Sequence, residues 1–292
     1  RTNLAAVILQ MSDLRLGAVE DFPFMEPPDG RLIRDGYRLL EELGALDGKR
    51  KPTPLGRQLA RFPLDPTLAR MVVGGADKKA LREVLVIVAA LAVQDPRERP
   101  RDKQQQADQA HQPFEDKDSD FLWFLNLWHW AEEQREALSR NQFEKALKKT
   151  FLAPSRMREW RDTHRQLLLL ARDQGWTLNR EPAEYESIHR ALLTGLLGNV
   201  MQRGEEGEWL STRNRKPLIW PGSTLSKRAG KKASQPAAVR GAAPGVHPES
   251  SSSATSSSSQ ESSSSAASSS PESSSSLRDG ARSRGYDARR TV

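Results

Sequence analysis

Residues 77–100, DKKALREVLVIVAALAVQDPRERP, decide the fold class of this chain. Asp77 can cap a helix at its start, and Pro96 and Pro100 forbid continuation of that helix. The apolar positions in between recur at helical spacing, and they are Leu81, Val84, Leu85, Val88 and Leu91. The apolar run over 84–93 is too short to cross a bilayer and is typical of a buried core helix. The segment therefore predicts a mainly α-helical protein.

The residues before this segment predict a winged-helix domain over 1–74. Caps stand before three helical stretches, and they are Asp29, Thr53 followed by Pro54, and Asp65 followed by Pro66. Gly44 is a fitting end for the first of these helices. Ala45 and Leu46 can form a short strand ahead of a basic turn at 47–51. Helices separated by such a β element indicate a winged-helix arrangement.

The residues that follow predict a helical bundle over 75–197. The polar stretch 101–117 is expected to be an exposed excursion from it. Further helices are expected from Ser119 and over 142–150, 155–173 and 183–197. The helix from Ser119 is rich in aromatic residues, so core packing is its default role. Base stacking by Trp123 or Trp130 is the alternative.

The hydrophobic period changes at Gly198, where a β segment is predicted over 198–225. Its strand-like runs are short and separated by Gly, Asn and charged turns, and they cover 200–202, 208–210 and 218–220. Residues 226–292 change from basic to nearly pure serine. Such a composition buries too little apolar surface to offset chain entropy, so this tail is predicted to be disordered.

Composition limits the classes of function. The formal net charge is +7, which favours an acidic partner, with nucleic acid first and a membrane surface second. A merely basic, solvated surface is the alternative. The chain has no cysteine, which excludes disulfides, thiolate nucleophiles and cysteine metal sites and fits a cytoplasmic protein. No apolar stretch reaches about twenty residues, so no membrane span is predicted.

No catalytic motif is present in the sequence. Gly48-Lys49 and Gly230-Lys231 are each followed by a basic residue, whereas a phosphate-binding loop requires Ser or Thr there. The motifs of serine hydrolases and zinc proteases are missing as well. The five histidines lack metal-ligand spacing, and His129 and His164 are expected to pack between helices. We therefore predict no catalytic residue and no metal ligand in this chain.

The helix over 155–173 carries the strongest binding signal. Its apolar stripe consists of Met157, Trp160, His164, Leu168 and Ala171. An arginine row lies beside that stripe and consists of Arg158, Arg161, Arg165 and Arg172. Guanidinium groups match phosphates, so the row can contact nucleic acid. The alternative is ordinary solvated charge, with Arg158 paired to Asp162 one turn on.

A second basic stretch follows the β runs. No acidic residue lies between 211 and 240, and its first cations are Arg213, Arg215 and Lys216. Trp209 and Trp220 lie beside them, and aromatics among cations suit stacking on single-stranded bases. Both tryptophans are expected to pack in the core of the β unit, with stacking as the alternative.

Several segments, taken in order, resemble one protein family. They are residues 1–5, 22–24, 39–45, 53–56, 62–66, 95–100, 119–122, 156–161, 192–197 and 221–223. The set resembles the region that follows the second RecA-like domain in DEAH-box RNA helicases, and is similar to their bacterial HrpA-type branch. The resemblance covers residues 1–225. In this family a β-barrel would continue after residue 225 with further hydrophobic strands, which this chain lacks. A truncated or frameshifted gene is one explanation, and a lineage-specific tail is the other.

The resemblance implies a winged helix, a helical-bundle ratchet domain and an oligonucleotide-binding β-barrel, here left incomplete. It implies that the chain is the RNA-binding C-terminal half of an ATP-dependent helicase. Single-stranded RNA and the RecA-like domains of the same polypeptide are then its partners. ATP and Mg²⁺ would bind those domains and not this chain. It also adds Arg156 and Ser223 to the candidate RNA contacts.

A different class of function stays open at this point. A stand-alone winged-helix protein that binds nucleic acid, or a scaffold without catalytic activity, would share the helical pattern and the basic surface. A nucleotide-binding region encoded directly upstream of Arg1 would favour the helicase, whereas an independent start codon there would favour the scaffold.

Overall fold

The computed structural model describes residues 4–204, 208–211, 218–219 and 222–229, all within one compact unit. The helices of this part are α1 (Ala5–Asp13), α2 (Gly30–Glu42), α3 (Pro54–Ala60), α4 (Pro66–Asp77), α5 (Leu81–Ala92), α6 (Gln104–His111), α7 (Asp120–Ala137), α8 (Arg140–Lys149), α9 (Pro154–Asp173), α10 (Tyr185–Leu193) and α11 (Thr224–Ala229). The strands are β1 (Met201–Arg203) and β2 (Trp209–Ser211). The mainly helical prediction is confirmed. No helix among these residues is long and apolar enough to span a membrane.

Three predicted caps begin their helices as expected. Asp29 accepts the Arg31 N–H at 2.7 Å and starts α2. The Thr53 hydroxyl accepts the Gly56 N–H at 3.0 Å, and Asp65 accepts the N–H two residues on at 2.9 Å. A proline at the first position of α3 and of α4 needs no such partner, so each motif is read directly from sequence.

The winged-helix module consists of α1, α2, α3 and the turn 47–51. Gly36 of α2 lies so close to α1 that a Cβ there would meet Ile8 Cδ1 at 2.7 Å. The predicted short strand forms only a single β-bridge, between Leu46 and Pro52. Asp47 closes the turn between them, because its carboxylate accepts the backbone N–H of Lys51 at 2.8 Å. The wing is therefore a tight turn and not a pair of strands.

The predicted cap at Asp77 is wrong. Asp77 is the last residue of α4, and α5 begins at Leu81 after Lys79, which has φ +56°. The helix runs on because its buried residues up to Gly75 pack against Val84 of α5. The division between domains predicted at 74/75 falls inside this continuous helix.

Helix α5 is the centre of the bundle, with α4, α7, α9 and α10 packed around it. Its buried side chains are Leu81, Glu83, Val84, Leu85, Val86, Ile87, Val88, Ala89 and Ala90. The charged member of this set is held by neighbours that follow α9. Asn179 and the Ala183 N–H donate to the Glu83 carboxylate at 2.9 and 3.2 Å, and Arg82 pairs with it at 3.0 Å. Burial raises the pKa of Glu83, but these hydrogen bonds outweigh it and leave the pKa below the ordinary 4.5.

Most residues of the stretch 101–117 are exposed, as its polarity predicted, but the stretch docks on the bundle and is not an excursion from it. It contains α6, and its Ala107, His111 and Phe114 are buried. Trp123 explains the difference, since its indole N–H donates to the His111 carbonyl at 3.3 Å and its ring meets Phe114 edge to face. A few apolar side chains are enough to dock a helix whose other residues are polar.

The β segment is only partly described. Strands β1 and β2 are antiparallel, with Met201 opposite Ser211. Residues 218–219 of the expected third run are described and form no strand, and the described residues do not form a barrel. Residues 226–229, predicted to lack structure, belong to α11, which Asp120 caps by accepting the Thr224 N–H at 3.0 Å. The serine tract lies outside the described residues.

Candidate nucleic-acid interface

Helix α9 presents two different faces, as its sequence predicted. Its buried residues are Met157, Trp160, Leu167 and Ala171, with the indole N–H of Trp160 donating to the Val86 carbonyl at 2.9 Å. Leu168 is only partly buried, and Leu167 takes the inner position instead. The arginine row lies away from this face, so it stands at the edge between core and solvent.

The arginines of the row differ in their exposure and in their ion pairs. Arg158 and Arg165 are exposed, and within the described residues neither has a carboxylate partner within 4 Å. The pairing of Arg158 with Asp162 that would have neutralised the row is not formed in this part of the chain. Arg161 lies 3.9 Å from Glu132 of α7 and is partly buried. Arg172 is exposed and without an ion pair in the described part as well, so free positive charge lies on three of the four arginines of the row.

Arg156 is engaged in the structure itself. Its guanidinium donates to the backbone carbonyls of Asp95 and Arg97, at 3.0 and 3.4 Å. These bonds join the start of α9 to the loop after α5. That loop is joined to α9 a second time, because Ala153 N–H donates to the Pro96 carbonyl at 2.9 Å. RNA contact by Arg156 stays a prediction, and its geometry favours a structural role.

A groove of about 280 Å³ separates α7, α8 and α9 beside the row. Its floor is apolar, with Trp128, Phe143, Leu147 and Met157 among its residues. Its rim carries four arginines and two glutamates, namely Arg135, Arg140, Arg158, Arg161, Glu132 and Glu144. An apolar floor below a cationic rim suits a nucleotide, which has a flat base and an anionic phosphate. We call this site the α7–α9 groove.

The ion pairs of the rim leave positive charge uncompensated. Glu132 pairs with Arg135 at 2.8 Å and, more loosely, with Arg161. Glu144 pairs with Arg140 at 3.7 Å. Because one carboxylate serves two guanidiniums and Arg158 has none among the described residues, the rim is positive overall. Arg135 of this rim was missed in the sequence, since helix contacts and not spacing bring it to α9.

The histidines and tryptophans settle several alternatives. His164 packs on Trp128 with ring centres 4.7 Å apart, and burial lowers the His164 pKa while Glu132 raises it by less. His129, also expected to pack between helices, is exposed instead. Trp123 is 4% exposed and capped by the Arg97 guanidinium 4.5 Å from its ring centre, so it cannot stack on a base. Trp130 packs on buried Phe114.

The second set of predicted RNA contacts is mostly outside the described residues. Arg213, Arg215, Lys216 and Trp220 all lie there. Ser223 is described and buried, and its hydroxyl donates to Asp120 at 2.6 Å. This bond fixes the start of α11 on α7. RNA contact by Ser223 stays a prediction that its burial does not favour.

No group of three or more His, Cys, Asp or Glu residues that could hold a metal ion is found in the described part.

Models of known domain families match the two helical modules. Residues 36–64 match the winged-helix part of the helicase-associated (HA2) domain, and residues 65–155 match its ratchet-like part. The two matches meet in the loop before α4. These matches identify both helical modules as helicase-associated domains.

Individual relatives narrow this class. The chain is 50% identical over 237 residues to the ATP-dependent RNA helicase HrpA of Escherichia coli, and 47% over 239 residues to its Haemophilus influenzae homolog. These alignments cover 79% of this chain but 18% of each relative. A DExH-box ATP-dependent RNA helicase of Arabidopsis thaliana is 31% identical over 240 residues, 78% of this chain and 24% of the relative. The chain is similar to the C-terminal region of the bacterial HrpA-type DEAH-box helicases.

Proposed function

We propose that this chain binds single-stranded RNA for an ATP-dependent DEAH-box RNA helicase, and that the α7–α9 groove is a point of contact. The observation that carries the proposal is the convergence of exposed Arg158 and half-buried Arg161 on an apolar groove with excess positive charge. The relatives, which are named RNA helicases, supply the nature of the ligand. Phosphates would lie on the arginines, with a base toward the apolar floor.

The remaining parts of the proposal concern the whole protein. RecA-like domains in the same polypeptide would bind ATP and Mg²⁺ and move the strand, and the protein would act in the cytoplasm. This chain has no phosphate-binding loop, so its own residues do not fit the nucleotide. Strands β1 and β2 would belong to an oligonucleotide-binding barrel. Purified alone, the chain should show no ATP turnover that scales with its concentration.

The RNA contact is tested by changing Arg158 and Arg165 together to Ala. Both are exposed and unpaired in the described part, so the fold should be unaffected while affinity for single-stranded RNA falls. The slope of log affinity against log salt should become shallower by about 1.4, since each phosphate contact contributes roughly 0.7 for single strands. Binding should weaken equally across RNA sequences, because phosphates carry no sequence information.

The matched control changes Arg31 and Arg34 to Ala. Both are exposed on α2, so the net charge changes equally at a place far along the chain from the groove. The control should retain the wild-type slope. An unchanged slope in the Arg158/Arg165 variant, or an equal loss in both variants, would reduce the row to solvated charge.

A further inference from the structure

A second basic cleft lies in the winged-helix module. It has a volume of about 710 Å³ and opens between the end of α1, the turn 47–51 and the start of α3. Its lining includes four cations and one carboxylate, namely Arg15, Arg50, Lys51, Arg57 and Asp13. All four cations are exposed. None of the residues of the α7–α9 groove takes part, so this is a separate site, which we call the wing cleft.

The backbone at two of these arginines is unusual. Arg15 has φ +56° and Arg50 has φ +57°, in the left-handed region that favours glycine over residues with a Cβ. Both side chains nevertheless line the same cleft. The Arg50 side chain has contacts within the fold, with Tyr37 and Glu20, whereas the Arg15 side chain has no hydrogen bond or ion pair among the described residues. Lys79 and Phe151 share this conformation outside the cleft, so positions 15 and 50 are distinguished by two arginine side chains that line one cationic cleft.

The cations of the wing cleft are partly pre-positioned. The Arg50 guanidinium lies 4.1 Å from the centre of the Tyr37 ring and 3.2 Å from Glu20, to which the Tyr37 hydroxyl also donates. Arg57 donates to the Pro52 carbonyl at 2.9 Å. The Arg15 and Lys51 side chains form no ion pair within 4 Å among the described residues, although Asp47 accepts the Lys51 backbone N–H and attracts its ammonium group. The cleft thus combines two guanidiniums held by contacts with two cations, Arg15 and Lys51, that form no close ion pair.

We propose that the wing cleft binds the phosphate backbone of a nucleic-acid strand, as a contact additional to the α7–α9 groove. Arginine forks match phosphate oxygens, and an open cationic cleft can follow a backbone without reading bases. A protein partner fits less well, because an interface core needs apolar anchors. Tyr37 is the aromatic residue of this lining, and Arg50 already covers it. Exposed Leu14 and Leu16 flank Arg15 but do not line the cleft.

The test uses the whole chain with Arg15→Gly and Lys51→Ala combined. Affinity for a single-stranded RNA oligonucleotide should fall, and the salt slope should become shallower by about 1.4 for two lost contacts. The melting temperature should stay the same or rise, because glycine relaxes the backbone at residue 15. A loss of binding without a loss of stability separates recognition from folding.

Lys49→Ala is the control, since it removes a cation from the same turn without touching the cleft lining. It should change affinity much less than the cleft variant. An equal effect of Lys49→Ala would overturn the proposal, as would unchanged RNA affinity in the cleft variant. The proposal would also be overturned if the cleft variant lost binding to poly-glutamate and not to RNA, because the ligand would then be an acidic protein segment. The Arg158/Arg165 variant reports on the arginine row of α9, including Arg158 of the α7–α9 groove, so failure of one proposal is distinguishable from failure of the other.

Discussion

Replacing Trp160 by Ala should be among the most damaging single changes in the bundle. The side chain is 0% exposed, its indole N–H donates to the Val86 carbonyl, and its ring centre lies 5.1 Å from Trp128 and 6.0 Å from Phe124. It therefore joins α9 to α5 and α7 at one point. The truncation would leave a large cavity at the centre of the bundle and would remove the hydrogen bond as well.

The expected cost is about 3–5 kcal/mol, the usual range for removing a buried aromatic ring. At roughly 2–4 °C per kcal/mol for a protein of this size, the melting temperature should fall by about 6–20 °C. Trp160→Phe keeps most of the ring and loses the N–H donor, so its cost should be about 1–2 kcal/mol. The difference between the two variants separates packing from hydrogen bonding.

Urea unfolding followed by helical circular dichroism, with a parallel thermal melt, measures both variants. An unchanged dependence on urea would show that the surface exposed on unfolding is the same, so the midpoint shift reports stability. The reasoning would be refuted if Trp160→Ala unfolded within about 1 kcal/mol of the wild type. It would also be refuted if Trp160→Phe cost as much as the alanine variant.

Three further predictions concern the buried carboxylate Glu83, the close contact at Gly56 and the β1–β2 pair. Acid should reduce the free energy of unfolding as the pH falls from 4.5 through the lowered pKa of Glu83, because the folded state favours the carboxylate; Glu83→Gln should flatten this part of the pH profile. Gly56→Ala should cost about 1–3 kcal/mol in chemical denaturation, since its Cβ would lie 2.0 Å from the Ala45 carbonyl oxygen, whereas Gly48→Ala meets nothing within 4 Å and should be tolerated. Amide hydrogen exchange should show the β1–β2 pair opening before α5. Equal protection of the two would mean that other residues of the chain complete the sheet.

The class of fold and the helix starts were readable from the sequence. Asp29, Thr53 and Asp65 each stand directly before an apolar-periodic stretch, and each caps its helix. Capping is a local hydrogen bond between neighbours in the chain, so residue type and order are sufficient to predict it. Trp160 was likewise expected to pack the helix from its position in the apolar stripe.

Where burial depends on distant residues, the sequence was a poor guide. Asp77 looked like a cap but ends α4, because contacts with α5 and α10 extend that helix. The polar stretch containing α6 docks on the bundle through Ala107, His111 and Phe114, because Trp123 offers it a surface and a hydrogen bond. Each contact forms between separate elements of the fold, and local polarity gives no information about either contact.

In the candidate sites, too, the sequence predicted the local pattern and the tertiary contacts decided the rest. The sequence determined that arginines recur on one side of α9 and that a basic turn follows α2, since spacing alone fixes which residues share a helix face. Only the tertiary structure decided which charges remain free. Arg156 binds the loop after α5, Arg161 lies near Glu132, and Arg158 stays exposed. The tertiary structure also assembled both clefts, because a concave surface arises between elements and no single element encodes it.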